Sequence, residues 1–457
     1  MTEPKEGYNG NQLTGRDTGD FTTIRSLLGA LARVMNLINP EMEHHHEQTA
    51  YLSYMIARRM FLPNPPESYE DQEFVRVQTE KLHLAIYAAL LHDVGSILED
   101  GKTTVEEFEG DARKVAKSGA SILRGLPEFE RIADLIEFCP FDWNDNMEYL
   151  KCSEIDHTET AEISSIVHLS DKVATMLNPD RPVLNQVEEI CERVKGCKGF
   201  SFCDRSVEAL LSLSDMEFMW LDAMLNPEFL NRFIGDMHHI SLEHTASITR
   251  LISRIIDYRS PFTAMHSAGV SASAKKLAEL AGMSREDCLK MEIAGNLHDT
   301  GKLRVPREIL EKPGKLTTAE FNIMREHPYY TRLILLDVDG FEDIANWAGL
   351  HHEKLKGNGY PFHFNGATLD EGSKIMAVAD IFSAITEERP YRKGMTRDQA
   401  MDILSGDAKN GAISSELVTL LSDHYAEVDE LRDQESRVAG KRYFDSMRMR
   451  NEAEQAG

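Results

Sequence analysis

Two adjacent histidines, His351 and His352, open the segment HHEKLKGNGYP at residues 351–361. Ile344, Ala348, His351 and His352 recur at helical spacing, so the two imidazoles are expected where a helix ends, beside a glycine-bracketed loop that permits close backbone approach. Five further metal-capable side chains accompany them: His266, His298 and Asp299 in HDTGK, His327, and Asp380 in KIMAVADIFSAI. Imidazoles and carboxylates without a thiolate favour iron, manganese or nickel over a closed structural zinc site. Seven ligands exceed one tetrahedral site and suit two divalent ions about 3.5–4 Å apart with an activated water between them. Neighbouring helical residues point about 100° apart, so His298 can serve one ion while Asp299 spans both. Phosphorus is the natural electrophile, because paired ions also neutralise phosphoryl oxygens during in-line displacement. Lys302, one turn past Asp299, and Arg389, Arg392 and Lys393 in ERPYRKG are the cations placed to hold phosphate. An RK cluster is otherwise a solvated face.

These side chains need helices to bring them together. Val270, Ala274, Leu277 and Ala281 form a stripe following His266, and Ser284 with Asp287 resembles a capping box opening a helix that ends at His298. Thr317 and Glu320 open a second helix, expected to end at His327 with Pro328 as its stop. Met376, Asp380 and Ala384 share a face of another. Ligands projecting from five helices are how a helical bundle builds an internal metal site.

The unit occurs twice. His45 with Thr49, Ser53, Ile56 and Ala57 matches His266 with Val270, Ala274, Leu277 and Ala278; LLHDVGS around His92 and Asp93 matches NLHDTGK; and IVHLSDKVATM with Asp171 matches IMAVADIFSAI with Asp380. The first copy has IEFCPFDWNDN near Cys139 where the second has its histidine pair, and Ser96 where the second has Lys302. It therefore keeps only His45, His92, Asp93 and Asp171, enough for one ion at most, with His44 or His46 as alternatives to His45. The expected fold is all-α, two tandem helical domains over about 21–225 and 231–430. A tail at 1–20, expected to be disordered, precedes them, a proline-rich loop lies at 62–68, and a charged surface helix or frayed tail occupies 431–457. The stretch from Asn226 through His238, His239 and His244 towards His266 reads as one long connecting helix, its three histidines solvated.

The chain has 457 residues, 42% hydrophobic and 28% charged, which suits a soluble protein of two to three domains. Its formal net charge of −26 excludes a nucleic-acid polymer or an anionic membrane surface as partner. No apolar run approaches the roughly 18 residues of a membrane span and residues 1–20 carry no signal-like core, so a cytoplasmic location is expected. Cys191, Cys197 and Cys203 match no zinc spacing and read as reduced thiols.

HDTGK together with HHEKLKGNGYP, and RPYRK after Asp380, resembles the HD-GYP family of the HD phosphohydrolase superfamily, over about residues 240–425. Residues 21–225 resemble a degenerate HD domain, expected to regulate or dimerise. The resemblance implies two or three bound metals, often iron, and hydrolysis of cyclic di-GMP or 3′,3′-cyclic GMP-AMP to the linear dinucleotide. It assigns His266, His298, Asp299, His327, His351, His352 and Asp380 as ligands and Asp299 and Lys302 as catalytic. Lys302, Arg389 and Arg392 become substrate contacts, and Gly359, Tyr360 and Pro361 the loop that shapes the pocket lip and partner contacts. Members with a third metal carry glutamate where this chain has Phe262, so two ions are expected. Lys356 stands where aspartate is usual, reversing a charge. The rival readings are a binding module that captures cyclic dinucleotide without cutting it, and an HD phosphohydrolase of mononucleotides, for which the four-residue set would suffice.

Overall fold

Leu27, Leu31, Val34 and Met35 recur at helical spacing and are all buried, fixing the inner face of the first helix, α1 (Ile24–Ile38), in this computed structural model. The structure describes residues 21–38, 44–62, 72–98, 112–124, 129–152, 158–225, 239–257, 261–388 and 393–456. The expected tail at 1–20, all but the first residue of the proline-rich loop, His238, Arg389 and Arg392 lie outside them.

After α1 the first half runs through α2 (His45–Phe61), α3 (Gln72–Leu91), a 3-10 turn (Val94–Leu98), α4 (Ala112–Leu123), α5 (Glu130–Phe138), α6 (Trp143–Cys152), α7 (Thr158–Met176), α8 (Val187–Gly196), α9 (Asp204–Leu213) and α10 (Glu217–Leu225). The second comprises α11 (Leu242–Asp257), α12 (Pro261–Leu280), α13 (Arg285–Leu297), a 3-10 turn (Thr300–Arg304), α14 (Arg307–Leu310), α15 (Thr318–Met324), α16 (His327–Leu336), α17 (Glu342–Gly349), α18 (Glu371–Thr386), α19 (Arg397–Lys409), α20 (Ser415–Asp423) and α21 (Tyr425–Ala456). The all-α class expected from the sequence is what is observed. Packing repeats as the motifs do: α2 lies on α3 and α7 as α12 lies on α13 and α18, and α4 packs on its 3-10 turn and on α5 as α16 does on its turn and α17. Among the described residues no helix is long and apolar enough to cross a membrane.

Three expectations need correction. The stretch before His266 is not one connecting helix. His239–Ile240 is a short strand, β2, paired antiparallel with β1 (Thr22–Thr23), Thr22 opposite Ile240. Ser241 accepts a hydrogen bond from His244 N at 3.2 Å, an N-cap that starts α11 at Leu242 and leaves the preceding residues extended. A separate helix, α12, then begins at Pro261, whose missing N–H suits a first helical position. Pro328 likewise starts a helix where a stop was expected. The Thr317–Glu320 capping box opens α15, which ends at Met324, and His327 leads α16 with the proline in its first turn. Residues from 431 on are neither a separate element nor a bare surface helix: α21 starts at Tyr425 and packs along α12, Ser436 donating to Met265 O at 2.9 Å and Arg432 buried.

α1 touches both halves. Leu27, Ala30, Leu31 and Val34 line a small apolar gap with Leu297, Thr300, Ile334, Leu335, Val338 and Phe341 of the second half. At its other end Asn36 donates to the Glu47 carboxylate in the first half at 3.1 Å.

Candidate metal centre

Three of the histidines are set by one local device. His298, His327 and His351 each donate Nδ1–H to the carbonyl three residues earlier, Gly295 at 2.8 Å, Met324 at 2.7 Å and Ala348 at 2.5 Å. Because a carbonyl only accepts, Nδ1 carries a proton in each ring and Nε2 is the nitrogen turned inward, the one a metal would take. Tertiary contacts then converge these rings. A Cβ on Gly301 would fall 2.1 Å from His327 O, so only glycine lets the HD turn sit against the start of α16. Thr331 accepts from Gly301 N at 2.9 Å and donates to His298 O at 3.0 Å, closing the clamp. Asp370 caps α18 through Ser373 N at 2.8 Å and accepts from Trp347 of α17 at 2.9 Å, holding the His351–His352 turn beside Asp380.

All seven ligand candidates meet. His266, His298 and Asp380 can share one centre, His298, Asp299 and His351 another, and His327, His351 and His352 a third. Asp299 lies between rings: one carboxylate oxygen is 3.2 Å from His298 Nε2 and the other 3.4 Å from His327 Nε2. Asp380 reaches His266 Nε2 at 3.1 Å and His352 Nδ1 at 3.7 Å. Lys302 pairs with Asp299. Its ammonium sits against that carboxylate.

The electrostatics suit cations. Burial lowers His327 to about 3 and His351 to about 4, and lowers His352 well below its ordinary value, so the three rings are neutral at ordinary pH. Burial would raise Asp299, but His298, Lys302 and His327 hold it well below the usual carboxylate range. Burial would lower His266, yet Asp380 and Glu387 overrule it and raise the ring to about 9. His298 Nε2 and one Asp299 oxygen are buried with no hydrogen-bond partner, a costly arrangement for polar atoms unless something binds there. The donor set, its tautomers and these orphaned atoms fit divalent ions.

The 351–361 loop forms the mouth. Gly357 has φ 74°, and a Cβ on Gly359 would fall 2.5 Å from Glu353 Cα, so both glycines are required by the path. Glu353 is buried and accepts from Phe362 N at 2.7 Å and His363 N at 3.1 Å, pinning the loop after Pro361. Tyr360 lies over His352 with ring centroids 4.8 Å apart and touches Phe321, while the Arg325 guanidinium lies 5.2 Å from its ring. Lys356 is exposed and runs its stem along Gly411.

Sequence reasoning missed Glu387. Its carboxylate is buried 3.5 Å from His266 Nδ1, where it orients the ring. It stands seven residues after Asp380, two helical turns along the same face, and that spacing was the available signal.

The first half repeats the geometry in part. His45 Nε2 is 3.1 Å from Asp171 and 3.4 Å from His92 Nε2, and His92 lies 3.3 Å from Asp93. Here the cluster is formed by His45; His44 precedes α2 in a left-handed conformation.

Two segments match the HD domain family model, residues 42–176 and 250–417. The chain is 27% identical over 417 residues to the 3′3′-cGAMP-specific phosphodiesterase 1 of Vibrio cholerae serotype O1, covering 87% of this chain and 91% of that protein. It is 30% identical over 348 residues to phosphodiesterase 3 of the same name and organism, 74% of this chain and 73% of the relative. The cyclic di-GMP phosphodiesterase response regulator RpfG of Xanthomonas campestris pv. campestris is 35% identical over 175 residues, 38% of this chain and 46% of that protein. A solved structure of a cyclic GMP-AMP-specific phosphodiesterase of V. cholerae superposes with a TM-score of 0.58 at 22% identity, over 89% of this chain and 98% of that one, and shares the fold. With two HD segments and relatives that span both of them, this chain belongs to the HD-domain family, in its HD-GYP group.

Proposed function

We propose that this chain is a metal-dependent phosphodiesterase that opens a cyclic dinucleotide to its linear form. The observation that carries it is the convergence of His266, His298, Asp299, His327, His351, His352 and Asp380 on adjoining centres inside the second half. Substrate choice is proposed to favour 3′,3′-cyclic GMP-AMP. The relatives that align through both halves bear that specificity in their names, whereas RpfG, named for cyclic di-GMP, aligns over 38% of the chain. Cyclic di-GMP is the second substrate of this reading.

Two divalent ions, iron or manganese by donor set, would supply Lewis-acid activation of water and neutralise phosphoryl charge. Asp299 is proposed to span both positions, since its two oxygens face different rings. Lys302 is proposed to turn from Asp299 to the phosphate and steady the charge that develops during in-line attack. Water adds to phosphorus, the ribose 3′ oxygen leaves and takes a proton, and the ring opens. Arg389, Arg392 and the Gly359–Pro361 loop complete the proposed phosphate and lip contacts, and Tyr360 over His352 stands at the mouth. Five described cysteines are free thiols, in keeping with a reducing cytoplasm as the setting. The first half, or the 359–361 loop, is the proposed surface for a second copy or a signalling partner.

The test is turnover. Anaerobically purified protein loaded with Mn(II) or Fe(II) is given each dinucleotide, and products are separated by chromatography. Linear product from cyclic GMP-AMP at the higher kcat/KM is expected; no product from either dinucleotide would overturn the assignment. Asp299→Ala separates hydrolysis from capture, because a pure binding module would keep its response without that carboxylate.

A further inference from the structure

We propose that the first half holds one metal ion of its own through His45, His92 and Asp171, whose ligand atoms converge, with Asp93 and His46 beside them as further donors. The pairs His45–Asp171 and His92–Asp93 reproduce His266–Asp380 and His298–Asp299: 3.1 Å in both halves for the former, 3.3 against 3.2 Å for the latter. His92 donates Nδ1–H to Ala89 O at 2.7 Å, which turns its Nε2 inward, 3.4 Å from that of His45.

His46 has no counterpart in the second half, where Ser267 follows His266. It is 3% exposed. Asn36 of α1 uses its amide N–H to reach Glu47 at 3.1 Å, so its carbonyl faces His46 Nδ1 at 2.7 Å and accepts the proton there. The other nitrogen, Nε2, is then a buried lone pair with no hydrogen-bond partner. The ring centroid lies 5.6 Å from that of His45 and 5.5 Å from that of His92. An imidazole whose tautomer is fixed by an amide and whose ring lies beside two histidines can join them at a metal by a small approach, its nitrogen standing farther off than those of His45 and His92.

The same comparison limits the site to one ion. A Cβ on Gly95 would fall 2.0 Å from Val115 O, as one on Gly301 would fall 2.1 Å from His327 O, so Val115 occupies the position of His327. A buried valine offers no ligand. Cys139, near the place of the histidine pair, is turned towards Ser164 O at 3.8 Å. Ser96 replaces Lys302, which removes the ammonium proposed to hold phosphate. The site can therefore hold a borderline divalent ion through two imidazoles and one carboxylate that already converge, with His46 and Asp93 as further donors, and without the second ion that phosphoryl transfer here would use.

Metal counting on the full chain tests this without reference to turnover. A variant with every second-half centre disabled, His298→Asn with Asp299→Asn and His351→Asn, is stripped, reloaded with Mn(II), desalted and analysed by mass spectrometry, its folding checked by circular dichroism. One ion per chain is expected. A folded chain with none would overturn the proposal, while leaving the second-half reading to its own turnover assay. Adding His46→Gln to that variant should weaken Mn(II) binding, followed by electron paramagnetic resonance, at least about tenfold, in the range found for supporting groups of metal sites. Unchanged affinity would exclude His46 as a ligand.

Discussion

The Nε2 atoms of His327 and His351 face each other at 3.4 Å, and both rings have committed their only proton to a backbone carbonyl on the opposite side. Two lone pairs so close, in buried rings, repel. A cation placed between them turns that repulsion into coordination, so the metal-free protein carries a penalty that loading removes.

Chelation is therefore expected to lower thermal stability. At a free ion concentration a thousandfold above Kd, linkage gives about 4 kcal/mol in favour of the folded state. Calorimetry with and without a strong chelator should show a melting temperature several degrees higher for the loaded protein. Identical transitions would mean that the cluster binds nothing.

Replacing Asp299 by Asn keeps the shape but removes the charge that faces both His298 and His327. Turnover of cyclic dinucleotide should fall by on the order of 10³-fold, the scale on which single electrostatic groups act. Bound metal should fall with it. A variant that retains full metal and near-normal kcat would show that Asp299 bridges nothing.

Loading should release protons. His266, raised to about 9 by Asp380 and Glu387 against the effect of burial, is protonated at pH 7 in the metal-free protein, and a bound ion takes that place. Titration calorimetry in buffers of different ionisation heat should show net proton release at pH 7 that shrinks above pH 9. The stability of the metal-free protein follows the other rings. His327 and His351, lowered from 6.5 to about 3 and 4, stay neutral when folded, so the stability they contribute is full above pH 6.5 and is lost as pH falls towards those values. His266 acts oppositely, its contribution complete below pH 6.5 and lost as pH rises through 9. Urea unfolding of chelated protein should accordingly show lower stability at pH 5 than at pH 7.

Glu387→Gln should weaken metal binding by about 10–100-fold, the usual cost of removing a group that orients a ligand, with the helical content unchanged. A Mn(II) titration of the variant that overlays the parent would remove the role given to this carboxylate.

Gly301→Ala would drive a Cβ to 2.1 Å from His327 O. Separation of the HD turn from α16 should cost about 1–3 kcal/mol, as overpacking usually does, and should reduce metal content as well. Normal melting and normal metal content together would show that the turn accommodates a methyl group.

Much of the centre could be read before any coordinates because the chemistry sits in short-range patterns: HDTGK, the histidine pair and the Asp380 helix each carry their ligand within one turn of a recognisable element. What escaped depended on tertiary neighbours. Pro328 suits the first turn of a helix as well as the chain beyond one, and only the Met324 end of α15 decides between them. Glu387 gains meaning from His266, more than a hundred residues away in sequence. His46 was one of three adjacent histidines, and Asn36, on a different helix, sets its tautomer. The β1–β2 pairing joins residues over two hundred apart, beyond the range of local periodicity.

Because α1 supplies the apolar cover for Leu297, Ile334, Leu335 and Phe341 while its far end steadies the His46 ring, the chain cannot be cut cleanly between its halves. A fragment starting near Leu242 would keep every proposed catalytic ligand yet bare a greasy seam directly behind the HD turn. Such a fragment should aggregate unless α1 is supplied in trans as a peptide, which would make this helix, whose sequence carries no ligand, the part the catalytic half can least do without.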